Sequence, residues 1–293
     1  MPSHHTPNPH NFPHNPLLTL TTFFLLLLSS ISLAILNPQL PSKVFQGKSF
    51  VVLVNSEEVK SCEAIFDGST YNFYDSESGL RAIIPTTADQ KVGSYKIKIK
   101  AYKSDKTVEE IESSIKIAYK KYKTVSFTIP KSRKKLLQKE LVNRDWEGIE
   151  AKLKKESPLQ LWEGLFVKPV GGVTTMPYGT FEFVNGQKRS YHKGWDLRAA
   201  VGTDVLAPNS GIIVYADFPE VFGGTVVVDH GQGVNTMIFH LSKIFVKEGE
   251  FVSKGDKLAL SGNTGVSSGP HVHWGLSVHN VRVAPEQWVL EEL

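Results

Sequence analysis

Ser268-Gly269-Pro270-His271-Val272-His273-Trp274 is a Gly/Pro turn that feeds an apolar run carrying two histidines one residue apart. Side chains along a strand repeat every two residues, so His271 and His273 face the same side of a strand that starts here. Two imidazoles on one face can hold a metal, move protons, or divide those tasks. Taken alone, the pair also fits two solvent-facing histidines on an edge strand. The rest of the chain has to decide between these.

Outward from that stretch, the sequence from Leu161 onward is rich in glycine and in short apolar runs. Gly211-Ile212-Ile213-Val214-Tyr215-Ala216, Gly224-Thr225-Val226-Val227-Val228-Asp229, Met237-Ile238-Phe239-His240, Lys257-Leu258-Ala259-Leu260 and Val272-His273-Trp274-Gly275-Leu276 read as strands. Long helical patterns are missing here, which points to an antiparallel β domain over residues 158–293.

A second histidine group lies in that domain, at Tyr191-His192-Lys193-Gly194-Trp195-Asp196. His192 and Asp196 can converge on one ion if the backbone bends at Gly194. Added to His273, they supply two imidazoles and one carboxylate. Three protein ligands with a position left for water is the arrangement of a catalytic zinc site, whereas structural sites are closed by four. A non-haem iron oxygenase uses the same ligand types, but its first two ligands stand closer in sequence and the surrounding glycine motifs do not suit it. His240 ends a strand, in Asn235-Thr236-Met237-Ile238-Phe239-His240-Leu241-Ser242. It and the remaining histidine of the 271/273 pair can take a proton from water and steady an oxyanion. The spacing gives no rule for which does which. His230, in a turn, reads as structural, and His279 as a surface residue.

The N-terminal half has a different texture. Residues 1–16 are rich in Pro, His and Asn and read as a disordered tail, with His4, His5, His10 and His14 too irregular for a metal site. Residues 17–36 run without a charge and reach the ~20 apolar residues that span a bilayer as a helix. They read as a signal anchor, or as a signal peptide cleaved near Ser32-Leu33-Ala34. Residues 43–129 alternate with period two, as in Tyr95-Lys96-Ile97-Lys98-Ile99-Lys100, between turns at Asp67-Gly68, Ser78-Gly79 and Val92-Gly93. This is the pattern of a small sandwich-like β domain, with no catalytic constellation and a role as spacer or partner-binding surface. In residues 130–157, Leu137, Leu141, Val142, Trp146, Ile149 and Leu153 recur at helical spacing, giving an amphipathic linker helix.

Composition narrows the field. With 41% hydrophobic and 21% charged residues in a chain of 293, the protein is globular, with room for two cores; the strand patterns make it mainly β. The net charge of +4 lacks the clustered basic stripe and aromatic platform of a nucleic-acid-binding protein. One cysteine, Cys62, excludes an intramolecular disulfide framework and a thiolate metal site.

From residue 161 to about 290 the chain resembles the lysostaphin-like (LytM-type) zinc metallopeptidases that cut peptidoglycan peptides. The likeness rests on His192-Lys193-Gly194-Trp195-Asp196, Gly202-Thr203-Asp204-Val205-Leu206-Ala207-Pro208, Asp229-His230-Gly231-Gln232-Gly233, Phe239-His240-Leu241-Ser242, Gly262-Asn263-Thr264-Gly265 and Gly269-Pro270-His271-Val272-His273-Trp274, in this order. The resemblance implies one Zn²⁺ per chain on His192, Asp196 and His273, with His240 and His271 as catalytic histidines that are not ligands. It also implies an antiparallel β fold with an open groove for an extended peptidoglycan peptide. An exported protein follows, anchored in the inner membrane facing the periplasm or released there. The alternative is a catalytically inactive relative that binds the cell wall or activates a hydrolase. Two positions depart from the family pattern: Tyr178-Gly179 is followed by Thr180 rather than arginine, and Gly275 stands where many relatives carry glutamate. Both bear on substrate preference more than on chemistry.

Overall fold

A computed structural model describes residues 36–128, 135–184 and 186–293. The tail at 1–16 and all but Leu36 of the hydrophobic run 17–36 lie outside the described residues. Residues 36–293 form one compact unit. Among the described residues no helix is long and apolar enough to cross a membrane.

The N-terminal part is a two-sheet sandwich. One sheet has five strands in the order Lys43–Phe45, Val108–Ala118, Gly93–Lys103, Val59–Phe66, Ser69–Asn72; the other pairs Ser49–Val54 with Gly79–Pro85 and Tyr74–Ser76. Period-two alternation builds its core. Ile97, Ile99 and Ala101 point inward with Ile115 and Ile117 against Phe50, Val52, Ala64, Phe66, Ala82 and Ile84, while Lys96 and Lys98 face water. Cys62 is buried in the same cluster, and burial pushes its thiol up to about 11, which keeps it protonated and inert.

The strand Gly79–Pro85 is buried on both faces and joins the two halves. Ala82 and Ile84 enter the sandwich core, whereas Ile83 belongs to the larger C-terminal core. Arg81, on the same face as Ile83, donates to Gln160 Oε1 (2.7 Å), Gln232 Oε1 (2.8 Å) and the Leu293 carbonyl (2.8 Å), and stacks on Trp162. These three acceptors take Nη1 and Nη2, which offsets the burial of the guanidinium, while Nε stays enclosed without a partner. Other bonds across the boundary come from Ser49, which exchanges main-chain bonds with the Gln287 amide, and from the Ala284 N–H to the Gly47 carbonyl.

The C-terminal part centres on an antiparallel sheet. Its strands run Thr174–Met176, Trp195–Arg198, His271–Val278, Val234–Leu241, Gly224–Asp229, Gly211–Asp217, Phe251–Val252, and Val281–Val283 pairs back on His271–Val278. One face packs Leu197, Val226, Val228, Ile238, Val272, Trp274 and Leu276 into the main core. Against the other face lies helix α1 (Lys139–Leu153), which is shorter than the 130–157 stretch of the sequence pattern. Its Ile149 and Leu153 are buried with Val227, Met237 and Phe239. Asp145, a charged position in the pattern, is turned inward and accepts the Val221 N–H at 2.7 Å. A second short helix, α2 (Pro285–Leu290), follows the sheet and buries Trp288 on Trp162 and Phe166.

His279 corrects the sequence reading. It sits in the turn between His271–Val278 and Val281–Val283 at φ 49°, but its side chain is only 10% exposed. Its Nδ1 lies 2.7 Å from Glu156 Oε1 and its ring meets Tyr71 edge-on at 5.4 Å. A partner 123 residues earlier in the chain draws it inward, which no local pattern could reveal. His230 is a structural group: fully buried, with Nδ1 2.7 Å from the Ser210 carbonyl and Nε2 2.9 Å from Thr236 Oγ1.

Candidate active site

Strand register assembles the site. Trp195–Arg198 pairs antiparallel with His271–Val278 so that Asp196 stands opposite His273 and Arg198 opposite His271. On the far side of His271–Val278, Phe239 stands opposite His273. Directly opposed residues share a face, so Asp196, His273 and Phe239 form a row across three strands. The alternate residues Trp195 and Trp274 stack on the core face at 5.9 Å. His192 precedes Trp195–Arg198 and comes back over it, its Nδ1 3.3 Å from the Pro177 carbonyl.

Three ligand-type atoms then meet. His192 Nε2 and His273 Nδ1 lie 3.0 and 2.8 Å from Asp196 Oδ1 and 3.0 Å from each other. Donors on a tetrahedral ion at ~2.0–2.1 Å stand about 3.3 Å apart, so small outward movements suit the cluster to one ion. Burial opposes charge on Asp196, but the charges and hydrogen bonds of His192 and His273 outweigh it and hold the carboxyl far below the usual range. Burial likewise works against a charged His192, and Asp196 overrides it, raising the imidazole. His273 is pulled down to about 4, chiefly by burial.

Gly194 acts differently from the bend expected of it. A Cβ there would lie 2.4 Å from His273 Nε2 and 2.8 Å from the Trp274 carbonyl, and its φ is outside the left-handed region. Glycine is required for close approach of the ligand ring, not for a turn.

His240 reaches the same groove by a backbone departure. It follows Phe239, so regular alternation would send it to the opposite face. It instead adopts φ 66°, next to a register shift in the pairing with Gly224–Asp229. Its ring comes 4.8 Å from that of His271. The Thr264 carbonyl accepts from His240 Nδ1 at 2.9 Å and the Gly269 carbonyl from His271 Nδ1 at 2.8 Å. Both rings therefore carry Nδ1–H, leaving Nε2 to the groove. Burial, helped by His271 and His273, pulls His240 down to about 3, so it is neutral at neutral pH.

The groove has a volume of ≈ 910 Å³. Val142 and Trp146 of α1 line it, as does the loop of Val266, Ser267 and Ser268 that leads into His271. All five residues singled out from the sequence line it. Sequence reasoning missed Glu182, Arg282 and the groove-facing side of α1. Glu182 alternates within an ordinary strand, and burial raises its pKa. Arg282 carried one indirect signal, the glycine at 275: a Cβ at Gly275 would lie 2.6 Å from Arg282 Nη1.

An antiparallel sheet that presents two imidazoles and a carboxylate to an open groove, flanked by two further histidines, defines a metallopeptidase class of site. Residues 190–285 match the family described as Peptidase family M23. The chain's similarity to a Vibrio cholerae protein named peptidoglycan DD-endopeptidase ShyA is 42% identity over 87 residues, 30% of this chain and 20% of that protein. An uncharacterized metalloprotease of Haemophilus influenzae is 41% identical over 95 residues, 32% of this chain and 20% of the relative. The chain thus spans about a fifth of the length of these two relatives. A crystal structure from Pseudomonas aeruginosa assigned to peptidase M23 superposes with a TM-score of 0.62 at 26% identity, covering 84% of this chain and 94% of that one. That likeness extends well beyond the family match into the N-terminal half.

Proposed function

We propose that the chain is a zinc-dependent endopeptidase that hydrolyses peptide cross-links or stem peptides of bacterial peptidoglycan. The observation that carries this reading is the convergence of His192 Nε2, Asp196 Oδ1 and His273 Nδ1 beneath a groove that His240 and His271 also face. The donor set suits zinc: two imidazoles, one carboxylate and no thiolate, with the groove side left open. When bound, zinc supplies Lewis acidity toward a carbonyl and brings the pKa of water down to ~7.

The chain's residues do the rest. His192, Asp196 and His273 hold the ion, and the Pro177 carbonyl orients His192. The groove lined by α1 and the Val266–Ser268 loop takes an extended peptide, with the scissile carbonyl over the ligand cluster. The free Nε2 of one of His240 and His271 accepts a proton from the attacking water. The other, when protonated on Nε2 as well as Nδ1, donates that Nε2–H to the oxyanion that develops. The proton taken up then passes to the departing amine, which leaves as the peptide bond breaks.

The relatives' names support a peptidoglycan substrate; in this reading the chain is exported to the cell envelope, with residues 17–36 as a signal anchor or a cleaved signal peptide. The sandwich at 43–129 serves as a spacer or envelope-partner surface in this reading, and α1 connects it to the peptidase domain. Purified residues 36–293, incubated with isolated peptidoglycan, test the proposal: about one zinc per chain and new amino groups are expected. A folded protein that binds peptidoglycan without cutting it would instead establish the inactive, wall-binding reading.

A further inference from the structure

The cation at Arg282 has no counterpart in the chemistry just described. The residue lies on Val281–Val283, opposite Ser277 of His271–Val278. Its guanidinium makes no hydrogen bond or ion pair with any described residue, and Nη1 is enclosed without a partner. Trp146 of α1 covers one face, 4.6 Å from Cζ to the ring centroid. Gly275 lies against Nη1, where a Cβ would intrude to 2.6 Å. The residue as a whole is only partly buried and lines the groove, so its remaining edge is open to a ligand.

The surroundings make the missing partner costly. Burial pulls the Arg282 pKa down to about 10, and the groups that act on its charge are the phenols of Tyr178 and Tyr191, with no carboxylate among them. Exposed Lys193 lines the same groove close enough to repel it. Glu182 lines the groove as well, but it is coupled to His192 and Asp196 instead. Glu150, a further carboxylate at the groove, accepts from the Asn280 amide at 3.2 Å and forms no ion pair with Arg282. A planar fork held between an indole and a glycine, with no internal anion, is shaped for bidentate recognition of a carboxylate.

Its position sets the reach. His271, His273 and Gly275 alternate along one face of their strand, so the guanidinium over Gly275 stands one step past His273 in the catalytic row. Two residues of strand advance about 7 Å, roughly two residues of an extended peptide or one long side chain.

We propose that Arg282, with Lys193 beside it, is a carboxylate-binding subsite of the groove that selects peptides carrying a free carboxylate about 7 Å from the scissile carbonyl. This rests on the peptidase reading above and specifies its substrate: an acidic peptide, with the amidated form disfavoured.

The test compares two probes, a cross-linked dimer of stem peptides with free carboxylates beside the cross-link and the same dimer with those carboxylates amidated. Wild-type residues 36–293 are assayed for kcat/KM by amine release and for Kd by calorimetry. The expected result is a preference for the free carboxylate of about ten-fold or more in kcat/KM or Kd, reduced to near unity in Arg282→Gln. Equal cleavage and equal binding of the two dimers would overturn the subsite while leaving the peptidase reading intact. Unequal binding without cleavage of either would keep the subsite and remove the peptidase reading. Absence of both binding and cleavage would remove both. The wild-type comparison decides even if Arg282→Gln does not fold.

Discussion

His271 and His273 leave one strand on the same face, yet their Nδ1 atoms have different partners. That of His273 is 2.8 Å from Asp196 Oδ1, while that of His271 turns back to the Gly269 carbonyl at 2.8 Å. His273 is thereby drawn into a ligand cluster, and His271 is held outside it with Nε2 3.7 Å from Asp196 Oδ2. The proposed division of labour can be tested by separating metal content from rate.

Asp196→Ala removes the carboxylate that both ligand imidazoles meet, so zinc content should fall from about one per chain to near none. His240→Ala removes no atom of the cluster and should keep the zinc while cleavage falls by about 10²–10⁴. Metal analysis and amine release on the same folded preparations check both. Loss of zinc in His240→Ala, or full activity in either variant, would refute the assignment.

Gly194→Ala tests close approach. A methyl group 2.4 Å from His273 Nε2 and 2.8 Å from a carbonyl oxygen must displace the ring or the strand. Zinc affinity should drop on the order of 10–100-fold, with a stability loss of about 1–3 kcal/mol. Competition with a chelator and denaturant unfolding measure the two effects. An unchanged zinc affinity would show that the ring has room to spare.

His230 should leave a signature in stability against pH. Burial depresses its pKa from 6.5 to about 4 in the folded chain. Below pH 6.5 the unfolded chain takes up a proton that the folded one refuses. Its contribution is therefore fully present above about pH 6.5 and is lost as pH falls toward 4, by about 3 kcal/mol in all. Unfolding midpoints of wild type and His230→Gln should converge across that window. Parallel curves would mean that His230 is charged or solvated when folded.

Arg81→Ala leaves the buried Gln232 Oε1 without its donor, along with the acceptors on Gln160 and Leu293. A loss on the order of 2–4 kcal/mol is expected. Because Arg81 and Ile83 join the two halves, wild-type residues 36–293 should unfold in one cooperative transition. Two resolved transitions in urea would show the halves to be independent.

Much of the architecture was legible in local pattern. The alternation at Tyr95–Lys100 produced the sandwich face it predicts, and Gly224–Asp229 and Lys257–Leu260 form strands with the bounds the sequence suggests. Period-two patterning carries such information because it depends only on the backbone and on which side chains seek water. The helix was legible as a periodicity, but its inward Asp145 was not: beside its neighbour Arg144, the carboxylate takes the Val221 N–H, 76 residues away, as a donor.

By itself, then, the sequence determined a mainly β chain from its residue types and spacing, and singled out His192, Asp196, His240, His271 and His273 through their likeness to a family's motifs. Tertiary structure decided what each of them meets. Register placed Asp196 against His273. A left-handed backbone at His240 reversed the face that alternation would assign it. Packing drew His279 inside and set Arg282 over Gly275 without an anion. Those outcomes depend on partners distant in the chain, and the energy of a buried polar group is fixed by its partners rather than by its neighbours in sequence.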